Sequence, residues 1–456
     1  MSGRAVVVGG GLAGTLAVGA LIGHVDTVTI VERDRYPDRP VFRKGVPQSR
    51  HLHVFLSGGQ LALETLLPGT LAELEAAGAR RMEAPRDVIT KGSNGWARRY
   101  HEGRHAVISC TRPLFDATVR KRVLAEAAGS GTRVEVLEAS EALGLLGSAE
   151  RVTGVRVRSR DAGRAERDLH ADLVVDASGR ASRAPQWLAE LGRPAPREEV
   201  VDAGIGYCTQ MLRPTEPLDM AVVLQPRPDC PRGAAWAPVE DGNWLLTLSG
   251  ARGQHPPTEE SAVLDFVESL GEPHLVDNLR TSDAVSPPYG FRDTSNRRRH
   301  YDAPGGVPEG FLAVSDAACT FNPVYGQGMA VAALSGLALR EVLADGGLRP
   351  GFAATAQRAV ARASDTAWLT AVGADRPYAE NATPPGLAER MQTWYFGRLV
   401  DRAAMDPVVG AAFRDITHLA AGPSRLLSPA VALRTILLPR GTGLAAMPLR
   451  AEAAPG

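Results

Sequence analysis

The chain has 456 residues, more than one hydrophobic core ordinarily spans, so two interlocked domains and a helical tail are expected. Lys+Arg and Asp+Glu both number 51, which removes the electrostatic reason to expect nucleic acid or an anionic membrane surface as a partner. The four cysteines, Cys110, Cys208, Cys230 and Cys319, are scattered with no C-x-x-C pair, which argues against a disulfide framework or a structural zinc site and for a reducing compartment.

Ala5-Val6-Val7-Val8 is a continuous apolar run of the kind buried parallel strands show, and Gly9-x-Gly11-Leu12-Ala13-Gly14 follows it directly. This order predicts strand, tight turn and helix. Gly9 allows the turn, Gly11 lets backbone N–H groups approach a diphosphate, and Gly14 lets the helix pack close to the strand. Val28-Thr29-Ile30-Val31 reads as the second strand. Glu32 stands at its end, about 20 residues beyond the glycines, where a carboxylate accepts hydrogen bonds from a ribose. Ala5–Ile22 also runs 18 residues without a charge, close to the ~20 of a membrane helix, but its glycines and the strand that follows argue against a span or a signal peptide. The N-terminus is therefore read as mature and cytoplasmic.

Further along, Leu61, Leu63, Leu66 and Leu67 mark a helix, and residues 79–108 are expected to add strands to a second domain. Arg112-Pro113 opens a helix running to about Ala128, with proline in its first turn. Val134–Leu137 and Val152–Val157 alternate as strands, and Asp172–Asp176 reads as a strand leading into the loop Ala177–Arg183. From 187 to 300 short strands such as Met220–Leu224 and Trp244–Leu248 alternate with Pro and Gly, with one helix near Ser261–Leu270. Trp96, Tyr207, Trp236, Trp244 and Phe291 are candidates to line a pocket, although each singly is more often core. Arg98-Arg99 and Arg297-Arg298-Arg299 read as solvated faces. His51 and His53 have no companions that would make a metal site, and Cys319 reads as a buried small hydrophobe.

Phe311–Val314 forms a further strand, followed by Ser315-Asp316 and then Asn322-Pro323-Val324-Tyr325-Gly326-Gln327-Gly328-Met329. The tail beyond about 350 is helical. In it Leu387, Met391, Trp394, Tyr395, Leu399 and Ala403 recur as an apolar stripe expected to dock on the nucleotide-binding domain. Asn381-Ala382-Thr383 has the form of a glycosylation sequon with nothing to send it outside the cell, and Ala454-Pro455-Gly456 is expected to fray.

The pair Ser315-Asp316 with Pro323-x-x-Gly326-x-Gly328-Met329 resembles the flavin-ribityl motif of class A FAD-dependent monooxygenases, which share the p-hydroxybenzoate hydroxylase-like fold. Asp172–Arg183 is similar to the central motif of the same family. Two departures stand out: Ser315 replaces the family's glycine, and Asp176-Ala177-Ser178-Gly179 is two residues longer than the usual Asp-Gly. Glu32–Pro37, Arg43–His53 and Asn322–Met329 resemble a sub-branch that includes polyether and other natural-product epoxidases of actinobacteria.

The resemblance implies an α/β fold with a three-layer Rossmann-like FAD-binding domain (1–78, 109–186 and 301–345), interleaved with a mixed β-sheet substrate domain (79–108 and 187–300) and followed by C-terminal helices (346–456). It implies FAD held by Gly9, Gly11, Leu12, Ala13, Gly14, Glu32, Arg33, Arg43, Arg112, Val136, Asp316, Pro323, Gly326, Gly328 and Met329. Arg43 would lie against the adenosine diphosphate, the Val136 backbone near adenine, Asp316 on a ribityl hydroxyl, and the amides near Gly328 and Met329 at the flavin N1/O2 edge. Gln48 would sit near the flavin ring; no side-chain catalyst and no metal are implied. The chemistry implied is NAD(P)H- and O2-dependent monooxygenation through a flavin C4a-hydroperoxide, most simply epoxidation of an alkene in a small hydrophobic polyketide or terpenoid. Hydroxylation of an aromatic or indole ring, a non-redox FAD-containing cyclase or binding protein, and a separate flavin reductase as electron source stay open. The Trp-x-Trp-x-Ile-Pro string of flavin halogenases and the Tyr-x-Trp-x-Phe-Pro string of prenyl reductases are absent.

Overall fold

A computed structural model describes residues 3–161, 163–227, 230–378 and 386–454, and of residues 387–389 the backbone alone. The Asn381–Thr383 sequon, Leu387's side chain and the terminal Pro455 and Gly456 lie outside the described residues.

The apolar runs read from the sequence assemble into a five-stranded parallel sheet. Its order is Phe311–Ala313, Leu173–Asp176, Arg4–Val8, Thr27–Val31 and Arg133–Leu137. The register sets Val6 between Val174 and Thr29, Val136 beside Ile30, and Val174 beside Phe311. Ala5–Val8, Leu173–Asp176 and Phe311–Ala313 are covered on both faces and need no polar alternation, whereas the edge strand Arg133–Leu137 alternates with exposed Arg133 and Glu135. Helices Leu12–Leu21, Ser57–Leu66, Arg112–Ser130, Gly328–Gly346 and Phe352–Asp375 bury Leu16, Leu63, Val119, Leu339 and Val360 in the core on one face. The other face carries the antiparallel meander Ser140–Gly147, Val152–Ser159 and Glu166–His170 with helix Ala184–Glu190, closing over Val155 and Trp187. The result is the Rossmann-like three-layer α/β domain expected, with further sheets and C-terminal helices.

An eight-stranded mixed sheet forms a roof. Its central strands are Gly206–Pro214, Trp244–Gly250, Arg232–Pro238, Ala221–Leu224 and Val88–Gly92. Of the strands in 79–108, Val88–Gly92 and Gly95–Trp96 join this roof, whereas Arg80–Ala84 and His105–Ser109 pair with each other and with Val54–Phe55.

Of the candidate pocket aromatics, Trp96, Trp236 and Trp244 take the core alternative. They fill the core between the roof and its outer helices Glu260–Glu268 and Pro273–Arg280, with the Trp236 and Trp244 rings stacked at 5.7 Å. Several expectations need correction. Two helices stand where one was expected, because Pro273 starts a helix rather than breaking one. The arginine runs are not simple solvated faces: Arg99 is buried and donates to the carbonyls of Arg86 (2.6 Å) and Leu449 (2.5 Å), and Arg299 is buried against Glu198 and the Ala317 carbonyl. The tail stripe does not dock on the nucleotide-binding domain. Met391 and Trp394 are 65% and 50% exposed, while Leu399, with Tyr395 and Ala403, packs against Val409, Ile416, Leu426 and Val431 in a small core of the C-terminal helices themselves. Helices Pro407–Thr417 and Pro429–Leu437 and the turn Pro423–Leu427 supply the apolar partners, so the segment covers the C-terminal half of the stripe itself.

Candidate functional site

Both sequence signatures converge at the C-terminal ends of the parallel strands, where an open α/β sheet places its ligand crevice. Gly9 has φ 99°, and a Cβ there would come within 2.6 Å of the Ala177 carbonyl oxygen; at Gly14 it would come within 1.9 Å of the Gly9 oxygen. These two glycines are dictated by the turn and the helix–strand contact. At Gly11 a Cβ would meet nothing within 4 Å, so this position borders open space. Helix Leu12–Leu21 starts there with no side-chain cap and no acid in its first turn, leaving its N-terminal amides available to an anion; Leu12 is buried and Ala13 half-buried.

Glu32 is buried at the end of the second strand. Its Oε2 accepts from the Gly10 amide and its Oε1 from the Asp34 amide, both at 2.8 Å. Arg43 extends to 3.5 Å from Glu32 and 3.8 Å from Asp34, and its side chain is 8% exposed. Neither terminal nitrogen of that buried guanidinium has a hydrogen-bond acceptor among the described residues. A buried cation with unused donors is costly. Tyr36 lies between the guanidinium groups of Arg43 and Arg120, 4.9 and 4.1 Å from its ring centre, and its hydroxyl donates to the Gly10 carbonyl at 2.7 Å. Arg33 is exposed and donates to the Gly45 carbonyl at 2.7 Å, tying the loop down. Val136 is half-buried in its strand beside Ile30.

At the other signature, Ser315 has φ 50°, the left-handed conformation that explains why a glycine is usual there. Asp316 follows, half-buried, and its carboxylate accepts no hydrogen bond among the described residues. Burial raises its pKa, while the charges of Arg112 and Arg180 pull it down. Arg112 itself is buried at the start of its helix and donates to Asp116 at 2.6 Å. Pro323 begins a single 3-10 turn closed by Gly326 at φ 66°. Helix Gly328–Gly346 then starts uncapped, with Gly328 facing open space and Met329 buried.

Gln48 lies half-exposed in the short turn Pro47–Arg50, its side chain without a hydrogen bond among the described residues. The two histidines after it, His51 buried and His53 half-buried, are held neutral: desolvation pushes His51 down to about 4 and His53 to about 3. His51 Nδ1 contacts Thr209 Oγ1 at 2.9 Å, and its ring meets Tyr207 and Phe291 edge-on. The central-motif Asp176 is consumed locally, accepting from the Ser178 amide and from the hydroxyls of Ser178 and Ser182.

The register of the roof reveals a feature the sequence pattern did not show. One row, Val88, Ala221 and Ala237, packs into the core of the nucleotide-binding domain, so this face of the roof looks towards the crevice. The next row on the same face is Thr90, Val223, Ala235, Thr247, Thr209 and Tyr289, in register across six strands. All but Thr209 are half-exposed. With ~4.8 Å between strands the row is ~24 Å long, uncharged and built mostly of small side chains. Asp375 and Thr370 on helix Phe352–Asp375, which hold the Asn322–Gln327 turn, were also missed, because no local pattern links residues some 50 positions apart.

This three-layer domain under a mixed-sheet roof is the fold of class A FAD-dependent monooxygenases and the related flavin-dependent halogenases. A flavoprotein/dehydrogenase from Cytophaga hutchinsonii superposes with a TM-score of 0.63 at 16% identity, over 95% of this chain and 96% of that one. The myxobacterial chondrochloren halogenase CndH gives 0.61 at 18% identity, over 88% and 90%. A mutant of 2-methyl-3-hydroxypyridine-5-carboxylic acid oxygenase gives 0.57 at 18%, over 97% and 100%. In sequence, the chain is 31% identical over 426 residues to Protein Rv3254 of Mycobacterium tuberculosis (strain ATCC 25618 / H37Rv), covering 90% of this chain and 88% of that protein. The chain belongs to the same family as that mycobacterial protein. No protein-family model matches it. Among the described residues, no helix is long and apolar enough to cross a membrane, and no three His, Cys, Asp or Glu side chains gather as a metal site would require.

Proposed function

We propose that the protein is an FAD-dependent monooxygenase that uses NAD(P)H and O2 to epoxidise an alkene of an elongated, apolar natural product. The residues fit FAD. The open approach at Gly11 and Gly328, the unused donors of buried Arg43 and the unpartnered carboxylate of Asp316 are complementary to a diphosphate, a flavin edge and a ribityl hydroxyl. Glu32 and the Val136 backbone would take the adenosine end, Arg112 would lend positive charge, and Gln48 would border the ring. When bound, FAD supplies the redox chemistry, with NAD(P)H as electron donor and O2 as oxidant.

The observation that carries the choice of substrate is the Thr90–Tyr289 row. A wall ~24 Å long, built of uncharged side chains and with small ones at Val223, Ala235 and Thr247, suits an extended hydrocarbon better than a compact, charged aromatic acid. The roof would exclude water and orient the substrate; neutral His51, bonded to Thr209, adds no charge beside the middle of the row, and at its Tyr289 end the Arg50 guanidinium lies 4.3 Å from the ring centre.

The test is anaerobic reduction of the purified, flavin-loaded protein by NADPH, followed by admission of isotopically labelled O2 with linear polyenes. One labelled oxygen per epoxide is expected. Product formed without O2, or label found only in water and peroxide, sinks the proposal. Reduction that occurs only when a flavin reductase is added would assign electron delivery to a partner.

A further inference from the structure

The turn that carries Gly326 and leads into Gly328 is gripped by a residue from another part of the chain. Asp375, the last residue of helix Phe352–Asp375, is fully buried. Its Oδ1 accepts from the Tyr325 hydroxyl at 2.5 Å, and its Oδ2 accepts from Asn322 Nδ2 at 3.0 Å and from Asn296 Nδ2 at 2.5 Å. The network continues outward: Asn296 Oδ1 accepts the Asn322 amide at 2.8 Å, and Asn322 Oδ1 accepts the Val324 amide at 3.2 Å. Five residues before Asp375, Thr370 Oγ1 accepts from Gln327 Nε2 at 3.0 Å. Asn322, Tyr325 and Gln327 are thus all fastened to the C-terminal end of one helix, and Gly328 is the next residue.

Burying a carboxylate is costly unless every lone pair is used, and here three side-chain donors converge on it. A core position that only needed filling would be served by an apolar residue at lower desolvation cost. We propose that Asp375 is a positioning residue for the flavin edge: by fixing Asn322 and Tyr325 it sets where the amides of Gly328 and Met329 point. The proposal rests on the reading of this turn as flavin-facing. It gives helix Phe352–Asp375 a part in cofactor binding, although the side-chain hydrogen bonds of Asp375 itself reach only Asn296, Asn322 and Tyr325.

Hydrogen exchange in flavin-free protein tests the grip without any ligand. In Asp375→Asn, the amides from Val324 to Met329 should exchange roughly 10-fold faster, as expected for losing a hydrogen bond to a charged acceptor, while those from Val360 to Ala367 in the same helix stay unchanged. Equal exchange, or acceleration spread along the whole helix, would overturn the grip. FAD affinity tests its consequence: Asp375→Asn should weaken binding about 10-fold, and Tyr325→Phe, the milder change, should weaken it less and be non-additive with it. Faster exchange with unchanged FAD affinity, or strict additivity, would overturn the positioning role. If wild-type protein takes up no FAD at all, the proposed function fails, and the positioning role with it, a result separable from weakened binding by the variants alone.

Discussion

Two glycines of one loop should separate folding from binding. A Cβ added at Gly14 lies 1.9 Å from the Gly9 carbonyl oxygen, well inside contact distance, so helix Leu12–Leu21 must lift off the first strand. Overpacking of this kind costs about 1–3 kcal/mol, more than the ~1 kcal/mol that alanine gains over glycine in a helix. Gly14→Ala should therefore lower the melting temperature of flavin-free protein. At Gly11 the same methyl group meets nothing within 4 Å, and φ −75°, ψ −172° suits alanine. Gly11→Ala should leave that melting temperature unchanged or slightly higher, through the lower entropy of the unfolded chain. Its cost would appear only with ligand, where a methyl group stands between the helix amides and a diphosphate. Losing one charge-assisted hydrogen bond is worth about 1.5–3 kcal/mol, or roughly 10- to 150-fold in Kd. Differential scanning fluorimetry of flavin-free protein and FAD titration by fluorescence quenching measure the two quantities. A Gly11→Ala variant that binds FAD like wild type would refute the placement of the diphosphate; one that melts earlier would refute the open space.

Asp316→Ala, which removes the proposed ribityl acceptor, should weaken FAD binding by about 1.5–3 kcal/mol, seen as flavin lost during gel filtration; full retention would count against that role. Ser315→Gly should raise stability by about 1 kcal/mol, because a φ of 50° is strained for serine, and an unchanged urea midpoint would contradict this. Burial pushes His418 down to about 3, so between pH 6.5 and 3 the folded state binds fewer protons than the unfolded chain and stability falls as pH falls. At pH 5 that loss is about 2 kcal/mol for one such group, and His418→Asn should remove it; parallel pH profiles for wild type and variant would disprove the assignment. Ala235→Leu should raise KM for long substrates about 10-fold at unchanged FAD content, and unaltered steady-state kinetics would remove the roof row from the substrate path.

What was legible in the sequence was local. The Ala5–Val8 run, the glycines, Glu32 and the Asp316 turn each carry their constraint within a few residues, and the structure brings them to one crevice. The tryptophans could be read as core or pocket because size and aromaticity do not say which side of a sheet faces the crevice; Trp236 points to the outer helices, whereas its neighbour Ala235 faces the crevice. Asp375 was unreadable because a buried carboxylate on a helix end looks like any surface acid until its partners, Asn296 and Asn322, are seen. The arginine runs failed for the same reason: their acceptors, Leu449 for Arg99 and Ala317 for Arg299, are backbone carbonyls fixed only by the tertiary fold.

The strand order of the parallel sheet also governs how the chain is made. Arg4–Val8 waits for Leu173–Asp176, which in turn waits for Phe311–Ala313, so the crevice is completed only late in synthesis. Until then a growing chain carries an unpaired apolar strand edge, the kind of surface on which nascent proteins stick to one another. A ligand that spans both signatures would favour the closed sheet by mass action, and if that ligand is the proposed FAD, flavin supply during expression would bear on soluble yield as well as occupancy.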